Sequence, residues 1–269
     1  PRSDWISLRG LLFFLPNNQS LLRIDGLKRD IMAEFSMPVI SRIVAESDRG
    51  RMLVIGTTNL DFGTQRIWDM GYQGRAALDA ASADRFVDIL LASSAIPGAF
   101  PAIEIDGNLY ADGGITANIL YNASATSSEG FSAQWHREFP GADVPLARFW
   151  VVVNNQLVAP PEITPPTWTG VARASIATAI RSATETALNH LEVQLKLIEA
   201  LGLIKVDFHY VSIPDDWRPP VTGSFQPETM SDLANLGLKM GSDPASWRSG
   251  QPWAGPDPSV VPFDDQEKP

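Results

Sequence analysis

An alternation of short apolar runs with longer amphipathic stretches is the feature of this sequence that most constrains the fold. Residues 148–155 (RFWVVVNN) have the β-branched and aromatic composition of a buried strand. Over residues 171–201, apolar side chains recur every three or four positions, which is the spacing of a helix face. Residues 206–213 (VDFHYVSI) then alternate as a further strand. Strands that alternate with helices predict a layered α/β fold with a mostly parallel sheet.

The remaining stretches continue this alternation. Helical spacing occurs in three of them, which are residues 21–50 with a break at Pro38, residues 82–94 with Ser82 as the N-cap, and residues 227–241. Strand character occurs in two short runs, which are residues 52–55, predicted to be buried on both faces, and residues 64–70.

The domain organisation predicted from the sequence is simple. No linker of domain scale interrupts residues 1–242, which are therefore predicted to form part of a single α/β domain. Residues 243–269 contain six prolines and are predicted to form an extended tail without regular elements.

Composition excludes several classes of function. The formal net charge of -10 argues against a nucleic-acid partner, because phosphate binding needs a basic surface. The chain has no cysteine, which excludes disulfides, thiol catalysis and thiolate zinc sites. The three histidines form no His-x-x-x-His pair and no phosphate-binding glycine motif occurs, so neither a metal nor another cofactor is expected. No apolar run near the start is long enough to span a bilayer.

An Asp-Gly-Gly sequence, formed by Asp112, Gly113 and Gly114, is the strongest candidate for chemistry. Alone it is ordinary turn chemistry, because aspartate hydrogen-bonds its own backbone and glycine adopts positive φ. Its context is more specific, since residues 89–119 read ILLASSAIPGAFPAIEIDGNLYADGGITANI. Pro97 and its two neighbours stiffen a loop that precedes the aspartate strand.

With these residues, the chain resembles the patatin-like phospholipase family over roughly residues 25–242. The similarity is carried by residues 50–71 (GRMLVIGTTNLDFGTQRIWDMG), by residues 89–119, and by two shorter segments, FWVVVNN and SFQPETMSDLANLG. Asn118 stands where the family has an asparagine. The resemblance implies a three-layer α/β/α fold with a mostly parallel sheet, and a lipid acyl hydrolase that needs no cofactor.

The resemblance also implies roles for individual residues. Family members use a Ser–Asp dyad, in which the serine lies in a G-x-S-x-G turn and the aspartate of Asp-Gly-Gly removes its proton. Asp112 matches that aspartate, and Gly113 and Gly114 would let the backbone pass close to the site without a Cβ clash. A serine hydroxyl needs such an adjacent base because it is a weak nucleophile.

This sequence departs from the family pattern in one respect. No serine in it lies in G-x-S-x-G, and the family's glycine-rich oxyanion loop is also absent. We therefore expect the N-terminal part of the domain and the nucleophile to lie outside this chain, and the chain alone to turn over little substrate.

Three interpretations remain open. The chain is a fragment, it associates with a separate N-terminal segment or with itself, or it is a truncated relative that binds lipid or protein without catalysis. A hydrolase using another serine with a histidine and an aspartate has no support from spacing. The substrate expected is a lipid or other fatty-acyl ester, and the compartment stays open because such proteins occur inside and outside cells.

Overall fold

The computed structural model describes residues 7–8, 20, 22–120, 131–158, 163–221 and 226–249. Helices and sheets are both present, so the α/β class predicted from the sequence is confirmed. The chain divides into two compact units, residues 1–120 and 121–269. The prediction of a single domain over residues 1–242 stays a prediction.

The sheet of the first unit has four strands, which are β3 (Val54–Asn59), β4 (Thr64–Asp69), β5 (Ile103–Ile105) and β6 (Asn108–Asp112). They lie in the order β4-β3-β6-β5, and every neighbouring pair is antiparallel. The two short strands β1 (Ser7–Leu8) and β2 (Leu22–Arg23) form a separate antiparallel pair.

This strand direction differs from the mostly parallel sheet predicted for the family fold, and the turns explain why. Two residues, Asp106 and Gly107, join β5 to β6, and both have positive φ, of 52° and 76°. Such a two-residue turn matches the twist of a tight antiparallel hairpin. β3 and β4 are likewise joined by only four residues, too few for a parallel crossover.

The first unit also contains four helices, namely α1 (Asp25–Glu34), α2 (Met37–Asp48), α3 (Met70–Ala80) and α4 (Asp84–Ser93). The predicted break at Pro38 is confirmed, because this proline lies in the first turn of α2, where its missing N–H costs nothing. Helix α4 ends before Pro97, as predicted. Its N-cap is Ala83, one residue later than Ser82, whose hydroxyl instead accepts a hydrogen bond from the Asp84 N–H.

The core of the first unit lies between these helices and the sheet. Ile40 of α2, Phe86 and Ile89 of α4, Trp68 of β4 and Tyr110 of β6 are buried together. The strand predicted at residues 52–55 is shifted, since β3 begins at Val54 and Met52 is 78% exposed. Burial is instead complete in the second half of β3, which leads to the candidate site.

In the second unit, β7 (Ala147–Gln156) and β8 (Val206–Ile213) are parallel and are connected through α6 (Trp168–Ala200). Among the described strands, the parallel pairing predicted from the sequence is found in this pair. Helices α5 (Phe131–Glu138) and α7 (Pro227–Ser242) complete the described helices of this unit. The expectation of a fully buried strand is wrong for β7, because Trp150 and Val152 on one face are exposed.

The first residues of the predicted tail are ordered. Pro244–Ser246 form one turn of 3-10 helix, and the main chain of Arg248 exchanges two hydrogen bonds of 2.9 Å with Tyr210 of β8. Residues 250–269, the larger part of the tail, lie outside the described residues. None of the helices described, the 33-residue α6 included, combines the length and the apolar character needed to cross a membrane.

Candidate active site

Asp112 is the last residue of β6, and its backbone is held from two sides. In the sheet it lies opposite Thr57 of β3. Its N–H donates to the carbonyl of Ala95, 3.0 Å away, in the loop that follows α4. The main chain at Asp112 therefore connects the central strands to the end of a buried helix, and hydrogen bonds to both hold it in place.

The carboxylate of Asp112 caps the turn that follows the strand. Its Oδ1 accepts a 2.7 Å hydrogen bond from the N–H of Gly114, the second residue of a short 3-10 helix, Gly113–Ile115. This satisfies a backbone donor that the turn leaves free. Within the described residues it is the only hydrogen bond that the carboxylate accepts, so Oδ2 remains available.

The two glycines are needed for close approach. Neither glycine has the positive φ that the ordinary turn interpretation expects. A Cβ on Gly113 would lie 2.6 Å from the carbonyl oxygen of Gly56 in β3, well inside contact distance. A Cβ on Gly114 would lie 3.0 Å from Asp112 Oδ1 and 3.1 Å from Asn118 Oδ1. Asn118 thus lies beside the same turn as the carboxylate.

Pro97 lies in a tight turn between α4 and β5. The carbonyl of Ile96 accepts from the N–H groups of Ala99 and Phe100, at 3.2 and 2.9 Å. Gly98 supplies the positive φ of 78° that this turn requires. The turn directly follows Ala95, whose carbonyl holds Asp112, so the structure brings Pro97 into the loop that supports the site.

The sequence does not identify the hydroxyls of Thr58 and Thr116, which lie at the Asp112 turn, or that of Ser93, which lies at the carbonyl of Gly56. Thr58 Oγ1 lies 2.8 Å from the main-chain oxygen of Asp112 and 2.9 Å from Thr116 Oγ1. Ser93 of α4 donates to the carbonyl of Gly56 at 2.8 Å. The sequence offers one signal for Thr58, which is that two adjacent threonines follow the apolar start of a strand. Buried polar side chains require hydrogen-bond partners, so such a pair indicates contacts with other elements.

Burial raises the pKa of the Asp112 carboxyl above its ordinary value, and the hydrogen bond from Gly114 partly opposes this effect. The carboxylate is half-buried and has no charged side chain among the causes of its shift. A carboxylate with a raised pKa is a stronger base than one in water, which is the property that a general base requires.

This raised pKa makes the free energy of unfolding depend on pH in a defined direction. The folded protein binds the proton more tightly than the unfolded chain, whose aspartate titrates near 3.8. The stability contributed by the protonated group is therefore present below that value and is lost as the pH rises through the folded pKa.

We expect Asp112→Asn to remove this loss, because the amide stays neutral and its Oδ1 still accepts from Gly114. Unfolding by urea, measured from about pH 4 to neutrality, should show the variant losing less stability than the wild type as the pH rises. Parallel pH profiles of the two proteins would show that the pKa of Asp112 is the same in the folded and unfolded states.

Metal binding has no evident site in the described part of the chain, where no three His, Asp or Glu side chains converge in a way that could hold an ion.

The fold and the site together define a class of protein: a mixed α/β scaffold that presents a half-buried aspartate on a glycine turn. Comparison with known families makes this more specific. Residues 5–123, just under half of the chain, match the model of the patatin-like phospholipase family. The match supports a patatin-like assignment for this part of the chain, a family related to lipid hydrolysis.

The extent of the match differs from that of the resemblance seen in the sequence. It begins before residue 25 and ends at residue 123, so it includes Asp112, both glycines, Pro97 and Asn118. The similarity of residues 149–155 and 224–237 to the family lies beyond the match and stays a prediction. No curated protein matches the chain.

Proposed function

We propose that this protein is a lipid acyl hydrolase in which Asp112 is the general base for a serine outside these 269 residues. The observation that carries the proposal is the Asp112 carboxylate, held through Oδ1 by Gly114 on a turn that belongs to the family-matched segment. Its second oxygen, Oδ2, accepts no hydrogen bond from any described residue and is left to accept a proton. The substrate is a lipid or other fatty-acyl ester.

In the proposed reaction the serine hydroxyl attacks the acyl carbonyl carbon, and its proton passes to Asp112 as the new C–O bond forms. The tetrahedral intermediate then collapses, the bond to the leaving alcohol breaks, and that alcohol takes the proton from Asp112. An acyl-serine ester remains. Water attacks this ester with Asp112 again accepting the proton, the C–O bond to the serine breaks, the serine oxygen takes the proton from Asp112, and the fatty acid is released.

A carboxylate can serve here without a histidine because its position and its basicity are both controlled. The hydrogen bond to Gly114 keeps Oδ1 in place, so the second oxygen has a defined direction. Burial raises the pKa of Asp112 and so increases its affinity for the proton of the serine.

The proposal is tested by treating the 269-residue chain with a fluorophosphonate and measuring its intact mass, beside the hydrolysis of a short-chain chromogenic ester. We expect no mass shift and little hydrolysis, because the chain contains no G-x-S-x-G serine. A stoichiometric mass shift would show an activated serine within the chain and would contradict the divided dyad.

The competing function is a non-catalytic module that binds lipid or protein. It would be supported if lipid binding were unaffected by Asp112→Asn and if no hydrolysis occurred even after a G-x-S-x-G segment of the family was supplied. Hydrolysis that depends on both the added segment and Asp112 would exclude it.

A further inference from the structure

Two adjacent threonines in β3 point in opposite directions and have different tasks. Thr57 and Thr58 are 0% and 2% exposed, and successive side chains of a strand lie on opposite faces of a sheet. Thr57 Oγ1 accepts from the indole N–H of Trp68 in the core, 2.8 Å away. Thr58 is on the other face, beside the turn that carries Asp112.

The direction of the hydrogen bonds at Thr58 follows from its single proton. Its hydroxyl donates that proton to the main-chain oxygen of Asp112, at 2.8 Å, because a carbonyl can only accept. In the 2.9 Å contact between the Thr58 and Thr116 hydroxyls the donor is then Thr116, whose proton has a second, more distant acceptor in the Gly113 carbonyl at 3.4 Å. The hydroxyls thus form a chain from the exposed Thr116 through the buried Thr58 to the backbone of Asp112.

The ends of this chain lie on both sides of the carboxylate. The acceptor is the carbonyl of Asp112 itself, and Thr116 is the residue immediately after the 3-10 turn that the carboxylate caps. Thr58 therefore holds the turn at its start and at its end. Loss of the Thr58 hydroxyl therefore removes both contacts, because it is one partner in each of them.

A second contact holds the same strands from the side of α4. The hydroxyl of Ser93 donates to the carbonyl of Gly56, and Gly113 packs directly against that carbonyl. This contact joins α4 to β3 and does not involve the side chain at position 58. The hydroxyl of Thr58 can therefore be removed while the neighbouring packing is kept.

We infer that Thr58 is a positioning residue for the base: its hydroxyl, supported by Thr116, holds the main chain of Asp112 and so sets the direction of the carboxylate. The inference rests on the proposed function, because the direction of the carboxylate matters for catalysis only if Asp112 is the base. The positioning itself is a property of the folded chain and can be measured without turnover.

The test compares Thr58→Val and Thr58→Ser in the 269-residue chain. Valine keeps the shape of threonine and removes the hydroxyl, whereas serine keeps the hydroxyl. For Thr58→Val we expect the amide hydrogen of Gly114 to exchange about tenfold faster, the factor for the loss of one buried hydrogen bond. We also expect the pKa of Asp112, followed by carboxyl ¹³C NMR, to fall toward its ordinary value of 3.8 as water reaches the carboxylate. Thr58→Ser should retain both wild-type values.

Thr57→Val is the matched control, because it removes an equally buried hydroxyl from the same strand but on the core side. It should destabilise the fold and leave the exchange of Gly114 and the pKa of Asp112 unchanged. If Thr58→Val leaves both quantities unchanged, or if Thr57→Val changes them equally, then Thr58 only contributes to stability and the inference is overturned.

The outcomes remain separate from those of the proposed function. If Thr58→Val changes the Asp112 turn while Asp112→Asn leaves hydrolysis intact, the positioning stands and the base assignment fails. If Asp112→Asn abolishes hydrolysis while Thr58→Val leaves the turn unchanged, the base assignment stands and the positioning fails.

Discussion

Replacing Asp112 with asparagine is expected to lower ester turnover by about 10³-fold or more when the G-x-S-x-G serine is present. Asparagine has nearly the shape of aspartate, and its Oδ1 still accepts from the N–H of Gly114. The fold is therefore retained. What is lost is a group that can take a proton from the serine, and a serine hydroxyl without a base is a poor nucleophile.

The loss should appear mainly in kcat, because the proton transfer belongs to the transition state rather than to substrate binding. Initial rates with a short-chain ester give kcat and KM, and circular dichroism confirms that the variant is folded.

Asp106→Asn is the matched control for this experiment. Asp106 lies in the same hairpin, forms an ion pair with Arg85 at the surface, and has a positive φ that asparagine also adopts readily. Turnover by this control should stay close to that of the wild type. Equal losses in the two variants would mean that the hairpin, and not the carboxylate of Asp112, limits activity.

Replacing Gly113 with alanine is expected to have the largest effect on stability. The new Cβ would lie 2.6 Å from the carbonyl oxygen of Gly56, a backbone atom that Ser93 also holds at 2.8 Å. The strands β3 and β6 would have to separate, and overpacking of this kind costs about 1–3 kcal/mol. Turnover should fall as well, because the shift moves the turn that carries Asp112.

Urea unfolding of Gly113→Ala and Gly237→Ala measures this effect against a neutral site. A Cβ on Gly237, within helix α7, meets nothing within 4 Å, so this alanine should stabilise the protein by about 0.5–1 kcal/mol. Opposite signs for the two variants are expected. A Gly113→Ala protein as stable as the wild type would show that the close approach of Gly113 to β3 is not required.

The elements predicted best from the sequence are those with long, regular periodicity. Helix α6 was predicted over residues 171–201 and extends from Trp168 to Ala200. Helix α3 was missed, because Gly71 and Gly74 lower its local propensity for helix. Packing explains the glycine at position 74, because a Cβ there would lie 2.8 Å from Cγ2 of Val44 in the neighbouring helix α2.

Strand direction was predicted less well, and the reason lies in the turns. Alternation of strands and helices indicates a parallel sheet, and this holds for β7 and β8. In the first unit, however, short turns at residues 60–63 and 106–107 join strands that follow one another directly. The Asp-Gly pair at 106–107 is a hairpin signal that carries more weight than the general pattern.

The candidate site was located by motif and could not be built from the sequence. Asp112, its glycines and Pro97 stand out because they belong to one continuous segment. The hydroxyls of Thr58 and Ser93 come from other elements, 54 and 19 positions earlier in the chain. Only the pairing of β3 with β6 and the packing of α4 bring them beside the aspartate.

The central claim is that Asp112 activates a serine supplied from outside these residues, and its most direct test is the rate of fluorophosphonate labelling. The chain, joined to a G-x-S-x-G segment of the family, would be labelled as wild type and as Asp112→Asn, with mass spectrometry locating the adduct. We expect labelling at the added serine, slower by about 10²-fold or more in the variant. Equal labelling rates, or an adduct within the 269 residues, would contradict the account.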